Sequence, residues 1–245
     1  MTDVAIATAP YASMIKPQSA HWEAIPGGVE ALKRTVASIR RVIPGMPVSL
    51  DCKRGDIART QQKYRDAHLN LLGADGMNFS PYMGKDCMAA LVDRENLGRA
   101  LVGLCYTSNR DAREIQDQLL ADGRRFWEFI AERTLAWATE LGVVENAGLV
   151  MAAAYEEPKG SGNVYSKHLT RCREIVGDKL WFLIPGVGTQ GGFIKETVRA
   201  ADTGPGSIAI NSSSDIIFAS NGSDFAEAAA RKAKELRDQI NAALS

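Results

Sequence analysis

The chain has 245 residues, of which 45% are hydrophobic and 24% are charged, and its formal net charge at pH 7 is zero. This balance disfavours disorder and a long-range attraction to nucleic acid or to an anionic membrane, and it favours a small-molecule ligand. No stretch approaches ~18 consecutive apolar residues and the N-terminus has no signal-peptide pattern, so we expect a cytoplasmic protein without a membrane segment. The four cysteines show no metal-ligand spacing and are expected to be reduced thiols.

Short apolar runs alternate with segments of helical period, as expected of βα units around a parallel sheet. A helix is predicted over the first such segment because Val29, Leu32, Val36, Ile39 and Ile43 recur at intervals of three and four. The predicted strands, in chain order, are "ASMIKP", "MPVSLDCK", "GMNFSP", "RALVGLCYTS", "NAGLVMAAA", "KLWFLIPG" and "SIAINSS". The irregular stretch "YEEPKGSGNVYSKHLTR" is predicted to be a loop followed by a helix.

These seven strands indicate an α/β protein with a (β/α)8 TIM-type barrel, which needs eight strands and commonly about 250 residues. The leading segment "TDVAIATAP" is alanine-rich and weakly strand-forming, so we interpret it as the end of a helix. We therefore expect the first strand of the barrel to lie outside this chain. No linker or repeat is apparent, and residues 1–245 are predicted to form a single domain.

Charged residues are concentrated where predicted strands end. Lys16 ends the first strand, and Asp51, Lys53 and Asp56 follow the second within "SLDCKRGDIARTQQKY". Side chains two residues apart on a strand point to the same side, so Asp51 and Lys53 are expected to lie together, with Lys16 completing an alternating array of charges. Such an array can aim a lysine as a proton donor, although this motif alone equally fits a purely structural ion-pair network.

The window "LIPGVGTQGG" carries four glycines, which let backbone N–H groups approach an anion closely. Its position before a helix in the second half of a predicted barrel is one where phosphate is often bound. The window is therefore a candidate phosphate-binding loop, with Gln190 as an additional neutral donor. The alternative interpretation is a tight turn exposed to solvent.

Together these motifs resemble the orotidine 5'-monophosphate decarboxylase family. "DCKRGDIART" matches the D-x-K-x-x-D-I-x-x-T signature of that family, and "IKP", "SPYMG", "TSN", "PGVGTQGG" and "INSS" follow its order and spacing over nearly the whole chain. The resemblance implies cofactor-free and metal-free conversion of orotidine 5'-monophosphate to UMP and carbon dioxide in de novo pyrimidine biosynthesis. It also implies that the catalytic residues are Lys16, Asp51, Lys53 and Asp56.

The resemblance further implies a role for each of these groups. Lys53 would protonate C6 of the pyrimidine, Asp51 would face the departing carboxylate, and Lys16 would orient Asp51 and reach the ribose. Asp56, Ile57 and Thr60 would reach into the site of a neighbouring subunit, which makes the expected assembly a homodimer. The implied substrate-binding residues are Ile57, Thr60, Pro81, Ser108, Pro185, Gly188, Gln190, Ser213 and Ser214.

The chain departs from the family pattern at the end of the predicted barrel, where "SSSDII" replaces the usual "SRGII". Ser214 stands at the position of a phosphate-binding arginine, with Asp215 beside it, and Arg59 is a candidate substitute. This departure keeps open a catalytically impaired nucleotide-binding homologue. A metal-dependent sugar-phosphate decarboxylase of the same barrel superfamily is a second alternative, and fusion or association with an orotate phosphoribosyltransferase is also left open.

Overall fold

The computed structural model describes residues 1–187 and 193–244. The helices are α1 (Thr2–Thr8), α2 (Ser19–Glu23), α3 (Gly28–Val42), α4 (Ala58–Arg65), α5 (Lys85–Ala89), α6 (Arg113–Gln116), α7 (Phe126–Glu140), α8 (Lys167–Val176), α9 (Ile194–Ala201), α10 (Ser214–Ile217) and α11 (Phe225–Leu244). The strands are β1 (Ser49–Arg54), β2 (Gly76–Phe79), β3 (Ala100–Tyr106), β4 (Ala147–Met151), β5 (Tyr155–Glu156), β6 (Val164–Tyr165), β7 (Trp181–Pro185) and β8 (Ile208–Asn211). None of the helices in these described ranges has the length and apolar character that crossing a bilayer requires.

The chain divides into two compact units. The first contains Met1–Leu101 and Ser213–Asp238, and the second contains Val102–Ser212 and the chain from Gln239 onward. The boundary between the two falls within β3, and α11 begins in the first unit and ends in the second. The single domain expected for residues 1–245 stays a prediction.

In the first unit, α3 buries most of the apolar stripe that the sequence predicted. Leu32, Val36 and Ile39 are buried, because they recur on one face of the helix. Val29, at the N-terminal end of the same stripe, is exposed. The helical interpretation of the leading segment is confirmed by α1, whose Val4 is also buried.

The predicted strand "ASMIKP" does not form a regular strand. Its segment meets the chain at β1 through two isolated parallel bridges, Ile15 with Val48 and Gln18 with Asp51. Pro17 has no backbone N–H, which removes one donor from a continuous ladder. The two bridges hold the end of the extended segment beside β1, and β1 in turn pairs in parallel with β2.

In the second unit, strands β3, β4, β7 and β8 lie side by side in that order. The pairs β4–β7 and β7–β8 are parallel, as expected of βα units. The side chains that pack within this sheet are Val102, Leu104, Val150, Trp181, Leu183 and Ala209. Six of the seven predicted strands are therefore present, as β1, β2, β3, β4, β7 and β8.

The stretch predicted as a loop before α8 contains a short antiparallel hairpin, β5–β6, so this part of the prediction is wrong. Each strand has two residues, too few to produce a recognisable alternation in sequence. The rings of Tyr155 and Tyr165 lie 5.4 Å apart, and each lies 5.5 Å from the ring of His168 on α8. This aromatic packing fixes the hairpin against the helix.

A buried arginine on α8, Arg173, binds backbone carbonyls next to the starts of β7 and β8. The guanidinium of Arg173 lies 3.5 Å from the centre of the Phe182 ring. It donates hydrogen bonds to the backbone carbonyls of Gly177, Leu180, Ala201 and Ser207. These carbonyls lie at the ends of α8 and α9 and just before β7 and β8, where backbone acceptors often lack a partner, although the Ser207 carbonyl also accepts the N–H of Phe182.

Candidate active site

A lysine–aspartate–lysine array lies at the end of β1 in the first unit. Nζ of Lys16 is 2.7 Å from Oδ2 of Asp51, and Nζ of Lys53 is 2.5 Å from Oδ1 of the same carboxylate. Lys16 comes from the extended segment that bridges to β1, which explains how residues 35 positions apart meet. The structure thus brings together three of the four residues expected to be catalytic.

The carboxylate of Asp51 is held in its charged form. Burial by itself raises the pKa of Asp51, but the charge of Lys16 and hydrogen bonds from Lys16, Lys53 and Asn78 lower the pKa to about 2. Each oxygen has a cationic donor, so the buried charge is fully compensated. The array is therefore ionised at neutral pH.

Lys53 and Asp51 lie together as expected, but the strand that carries them is not regular at Lys53. Its φ angle is +48°, in the left-handed region that side chains other than glycine rarely adopt. The pairing of β1 with β2 passes from Leu50–Met77 to Arg54–Phe79, so β1 uses more residues than β2 over this interval. The resulting bulge turns the side chain of Lys53 towards Asp51 and leaves it 47% exposed, where a ligand can reach it.

Asn78 on β2 belongs to this site and was not singled out in the sequence. Its Oδ1 accepts the backbone N–H groups of Cys52 and Lys53 at 2.8 and 2.7 Å, and its Nδ2 donates to Oδ1 of Asp51 at 2.7 Å. The side chain is almost fully buried. The available signal was an amide inside a short apolar strand, because a buried polar group needs partners nearby.

Arg54, the second cation of the motif, is directed away from the array. Its Nε donates to Nε2 of His68 at 3.2 Å, its terminal nitrogen pairs with Glu23, and its guanidinium lies 4.9 Å from the centre of the Tyr64 ring. Burial and then the charge of Arg54 lower the pKa of His68 to about 4, so His68 is a neutral acceptor. These contacts fix the backbone directly after Lys53.

Asp56, Ile57 and Thr60 follow the array in the chain. Among the described residues, the hydrogen-bond partners of the Asp51 carboxylate are Lys16, Lys53 and Asn78, and Asp56 is not one of them. The Asp56 carboxylate accepts the N–H of Ile57 at 2.7 Å. Ile57 and Thr60 are exposed, Ile57 to 50%.

Gln61 holds the backbone of this segment. It is completely buried, its Oε1 accepts the N–H of Asp56 at 3.1 Å, and its Nε2 donates to the carbonyl of Cys87 at 2.9 Å. Like Asn78, it is an amide that the sequence analysis did not identify. It anchors the start of α4 to α5.

The remaining predicted substrate-binding residues of the first unit lie in turns. Pro81 is buried at the start of the turn that follows β2. Ser213 and Ser214 are exposed at the start of α10, where the carbonyl of Ser213 accepts the N–H of Ile217 at 2.8 Å. Ser214 occupies the position expected for an arginine, and its hydroxyl carries no charge with which to hold a phosphate.

Two predicted residues are described in the second unit, and two are not. Ser108 is exposed just after β3, beside Thr107, whose N–H donates to Gln116 at 2.9 Å. Pro185 ends β7 opposite Asn211 of β8. Gly188 and Gln190, with the rest of the glycine-rich window from Gly188 to Gly192, lie outside the described residues.

Near the end of β3, a cluster of tyrosine side chains packs around His168. The hydroxyl of Tyr106 contacts Asp117 and the hydroxyl of Tyr155, each at 3.3 Å, and Nε2 of His168 lies 2.8 Å from the carbonyl of Ala152. Burial lowers the pKa of His168 to about 4 and raises that of Tyr106. This group supports the strand ends with neutral side chains.

The array at β1 suits proton transfer to a substrate. In the described part of the chain, no group of three or more His, Cys, Asp or Glu side chains is arranged to hold a metal ion. Of the two lysines in the array, Lys53 is the one that a ligand can reach, and the buried Lys16–Asp51 pair fixes its position. A developing negative charge beside Lys53 would be stabilised by a preorganised ammonium.

Comparison with known proteins agrees with this chemistry. The model of the "Orotidine 5'-phosphate decarboxylase / HUMPS family" matches residues 1–231. The orotidine 5'-phosphate decarboxylase of Ralstonia pickettii is 40% identical over 237 residues, which cover 96% of this chain and 80% of the relative. That of Bordetella avium is 37% identical over 237 residues, with 96% of this chain and 81% of the relative covered.

Solved structures give the same result. The OMP decarboxylase of Leishmania donovani superposes with a TM-score of 0.78 at 31% identity, covering 99% of this chain and 85% of that protein. The UMP synthase of the same organism gives 0.81 at 32% identity, but this chain spans only 48% of its length. The α/β TIM-barrel fold class predicted from the sequence is confirmed. The chain belongs to the orotidine 5'-phosphate decarboxylase family.

Proposed function

We propose that Lys53 is the proton donor with which this orotidine 5'-monophosphate decarboxylase of pyrimidine biosynthesis forms UMP and carbon dioxide. The observation that carries the proposal is the position of the Asp51 carboxylate between two ammonium groups, at 2.7 Å from Lys16 and 2.5 Å from Lys53. A lysine fixed in this way needs no reorganisation when charge develops beside it. No cofactor enters the reaction.

In the proposed reaction, the bond between C6 and the substrate carboxylate breaks, and its electron pair stays on C6 as carbon dioxide leaves. A proton from Nζ of Lys53 then forms the C6–H bond of UMP, and the neutral amine recovers a proton from solvent. The half-exposed position of Lys53 supports this recovery. In this proposal the charge of Asp51 would disfavour the bound substrate carboxylate more than the transition state, and Lys16 would orient Asp51.

We further propose a homodimer in which Asp56, Ile57 and Thr60 complete the site of the partner subunit. The exposure of Ile57, together with that of Tyr82 and Met83, supports an apolar interface near the end of β1. Pro81 and Ser108 would contact the base. Gln190 would bind the phosphate, and the other proposed substrate-binding residues are Pro185, Gly188, Ser213 and Ser214.

The charge for phosphate binding must come from elsewhere than Ser214, and we propose Arg59. It is exposed on α4, next to the segment assigned to the partner site. Arg59→Ala should then raise the KM for orotidine 5'-monophosphate far more than the KM for orotidine. A cytoplasmic location and association with an orotate phosphoribosyltransferase are proposed on the family membership and on the similarity to a UMP synthase.

The test is the ultraviolet absorbance change of orotidine 5'-monophosphate with purified protein, with and without a chelator. We expect chelator-resistant turnover that falls by at least about 1,000-fold in Lys53→Ala, since a positioned acid contributes about 10²–10⁴ in rate. Lys33→Ala, which removes an exposed lysine paired with Glu30, is the control. Full turnover by Lys53→Ala would refute the role of Lys53. Binding of UMP without any turnover by the wild-type protein would instead indicate the nucleotide-binding homologue.

A further inference from the structure

We propose that Asn78 is a positioning residue for the decarboxylation, because it holds the β1 bulge that turns Lys53 towards Asp51. This inference rests on the proposed function of Lys53. It assigns to β2, a strand without a charged side chain, a direct part in aiming the proton donor. Asn78 acts through Asp51 and Lys53 and does not need to touch the substrate.

The pairing of the two strands explains why a side chain is needed at this position. Between the Leu50–Met77 pair and the Arg54–Phe79 pair, β1 has three intervening residues whereas β2 has only Asn78. The N–H groups of Cys52 and Lys53 both donate to Oδ1 of Asn78. The amide oxygen of one side chain thus serves as the acceptor that a regular parallel ladder would supply from the backbone.

The same contacts maintain an unfavourable backbone conformation. A residue other than glycine with φ near +48° persists only where its surroundings determine it strongly. The hydrogen bond from the N–H of Lys53 to Asn78 is such a determinant, and the N–H of Cys52 adds a second on the same oxygen. Without this acceptor, Lys53 is free to return to an extended conformation, and its ammonium moves away from Asp51.

The second end of the amide acts on the carboxylate. Nδ2 of Asn78 donates to Oδ1 of Asp51, the oxygen that also accepts from Lys53. Asn78 therefore fixes the backbone of the proton donor and the side chain of its anionic partner at once. A residue with a merely structural role would affect stability, whereas this arrangement predicts an effect on kcat.

The test compares Asn78→Leu and Asn78→Asp with the wild-type protein. Asn78→Leu removes both the acceptor and the donor at similar volume, and we expect kcat to fall about 100-fold with KM within about threefold, as expected of a misplaced group. Asn78→Asp keeps an acceptor for both N–H groups but places a second carboxylate beside Asp51. It should preserve the bulge and move the acidic limb of the pH profile of kcat to higher pH.

Two further measurements separate positioning from folding. Leu69→Ala truncates a fully buried apolar side chain of the same unit, and should lower the unfolding temperature while leaving kcat unchanged. Amide hydrogen exchange should be at least about tenfold faster at Cys52 and Lys53 in Asn78→Leu and close to wild type in Asn78→Asp. If Asn78→Leu fails to fold, the pH profile and exchange of Asn78→Asp decide the question.

The outcomes distinguish this inference from the proposed function. A folded Asn78→Leu with kcat within about threefold of wild type, or with unchanged exchange at Cys52 and Lys53, would overturn the role of Asn78 while Lys53 remains the donor. An unchanged pH profile in Asn78→Asp would also overturn it. A wild-type protein without turnover would overturn the proposed function itself, and with it any catalytic consequence of the bulge.

Discussion

The ammonium of Lys16 lies 2.7 Å from Oδ2 of Asp51, and both side chains are almost fully buried, at 9% and 12% exposure. Charges removed from water to this extent depend on each other, because neither has solvent to replace a lost partner. Loss of either partner should therefore destabilise the first unit as well as disturb the geometry of the site. The two residues are brought together by the bridge between the extended segment and β1.

Replacing Lys16 should destabilise the fold. Lys16→Met leaves the buried Asp51 carboxylate with one cation in place of two, and we expect a loss of about 1.5–3 kcal/mol in the free energy of unfolding. Lys33→Met, which breaks an exposed pair with Glu30 of similar length, should cost less than about 1 kcal/mol. Urea unfolding measures both. Equal losses in the two variants would show that the buried pair matters no more for stability than the exposed pair.

Stability should fall as the pH decreases from about 4 to about 2. The pKa of Asp51 is about 2 in the folded protein, below its ordinary value of 3.8, so the folded state favours the charged form. The contribution of Asp51 is complete above pH 4 and is lost as the carboxyl takes up a proton near pH 2. Asp51→Asn should reduce this acid dependence, as measured by urea unfolding across that interval. An identical dependence in the variant would contradict the assigned pKa.

Gln61 should affect activity through the segment that it anchors. Gln61→Met keeps the side-chain volume but removes the acceptor of the Asp56 N–H and the donor to the Cys87 carbonyl. We expect kcat/KM to fall about tenfold, since a loss of about 1.4 kcal/mol is within the range for one hydrogen bond. The neighbouring exposed Gln62→Met is the control. If Gln61→Met leaves the activity unchanged, the position of Asp56 does not affect the reaction.

An arginine at position 214 should strengthen phosphate binding. Ser214 is exposed at the start of α10, and a charge-assisted contact there is worth about 1.5–3 kcal/mol. Ser214→Arg should therefore lower the KM for orotidine 5'-monophosphate by about tenfold or more and leave that for orotidine unchanged. Ser223→Arg adds the same charge at another exposed position. Equal effects of the two variants would indicate general electrostatic attraction.

Arg173 should be essential for the stability of the second unit. Arg173→Met removes a donor from four carbonyls, of which Ser207 keeps the N–H of Phe182, and each buried group left unsatisfied costs about 1–3 kcal/mol. We expect a loss of at least about 3 kcal/mol by chemical denaturation. Arg231→Met, which removes an exposed arginine paired with Asp224, should cost less than about 1 kcal/mol. A small effect of Arg173→Met would mean that water replaces the guanidinium.

The sequence predicted the features that depend on periodicity and charge. The stripe on α3, six parallel strands and the proximity of Lys16, Asp51 and Lys53 all follow from residue spacing, because strand ends meet at one edge of a parallel sheet. The hairpin β5–β6 was missed because its strands are too short to show a pattern. Asp51 and Lys53 lie together as expected, but the bulge that brings them together was not predicted because a bulge leaves no mark in composition.

The two amides at the site were missed for a different reason. Asn78 and Gln61 are neutral and lie in segments whose other features already had an explanation, an apolar strand and a helix start. Their importance comes from which backbone N–H groups they reach, and that is set by the register of neighbouring elements. Spacing within one segment contains no information about such contacts between segments.

The bulge at Lys53 also bears on attempts to transplant this chemistry into other proteins. The six residues from Asp51 to Asp56 do not fold into their working shape by themselves, since the acceptor for the Lys53 N–H comes from the adjacent strand. A designer who grafts the hexapeptide onto another barrel must therefore graft Asn78 with it. The design must also keep the register in which β1 advances four residues, from Leu50 to Arg54, while β2 advances two, from Met77 to Phe79. A scaffold whose two strands pair in regular register would carry the same hexapeptide sequence, but its lysine side chain would point in another direction.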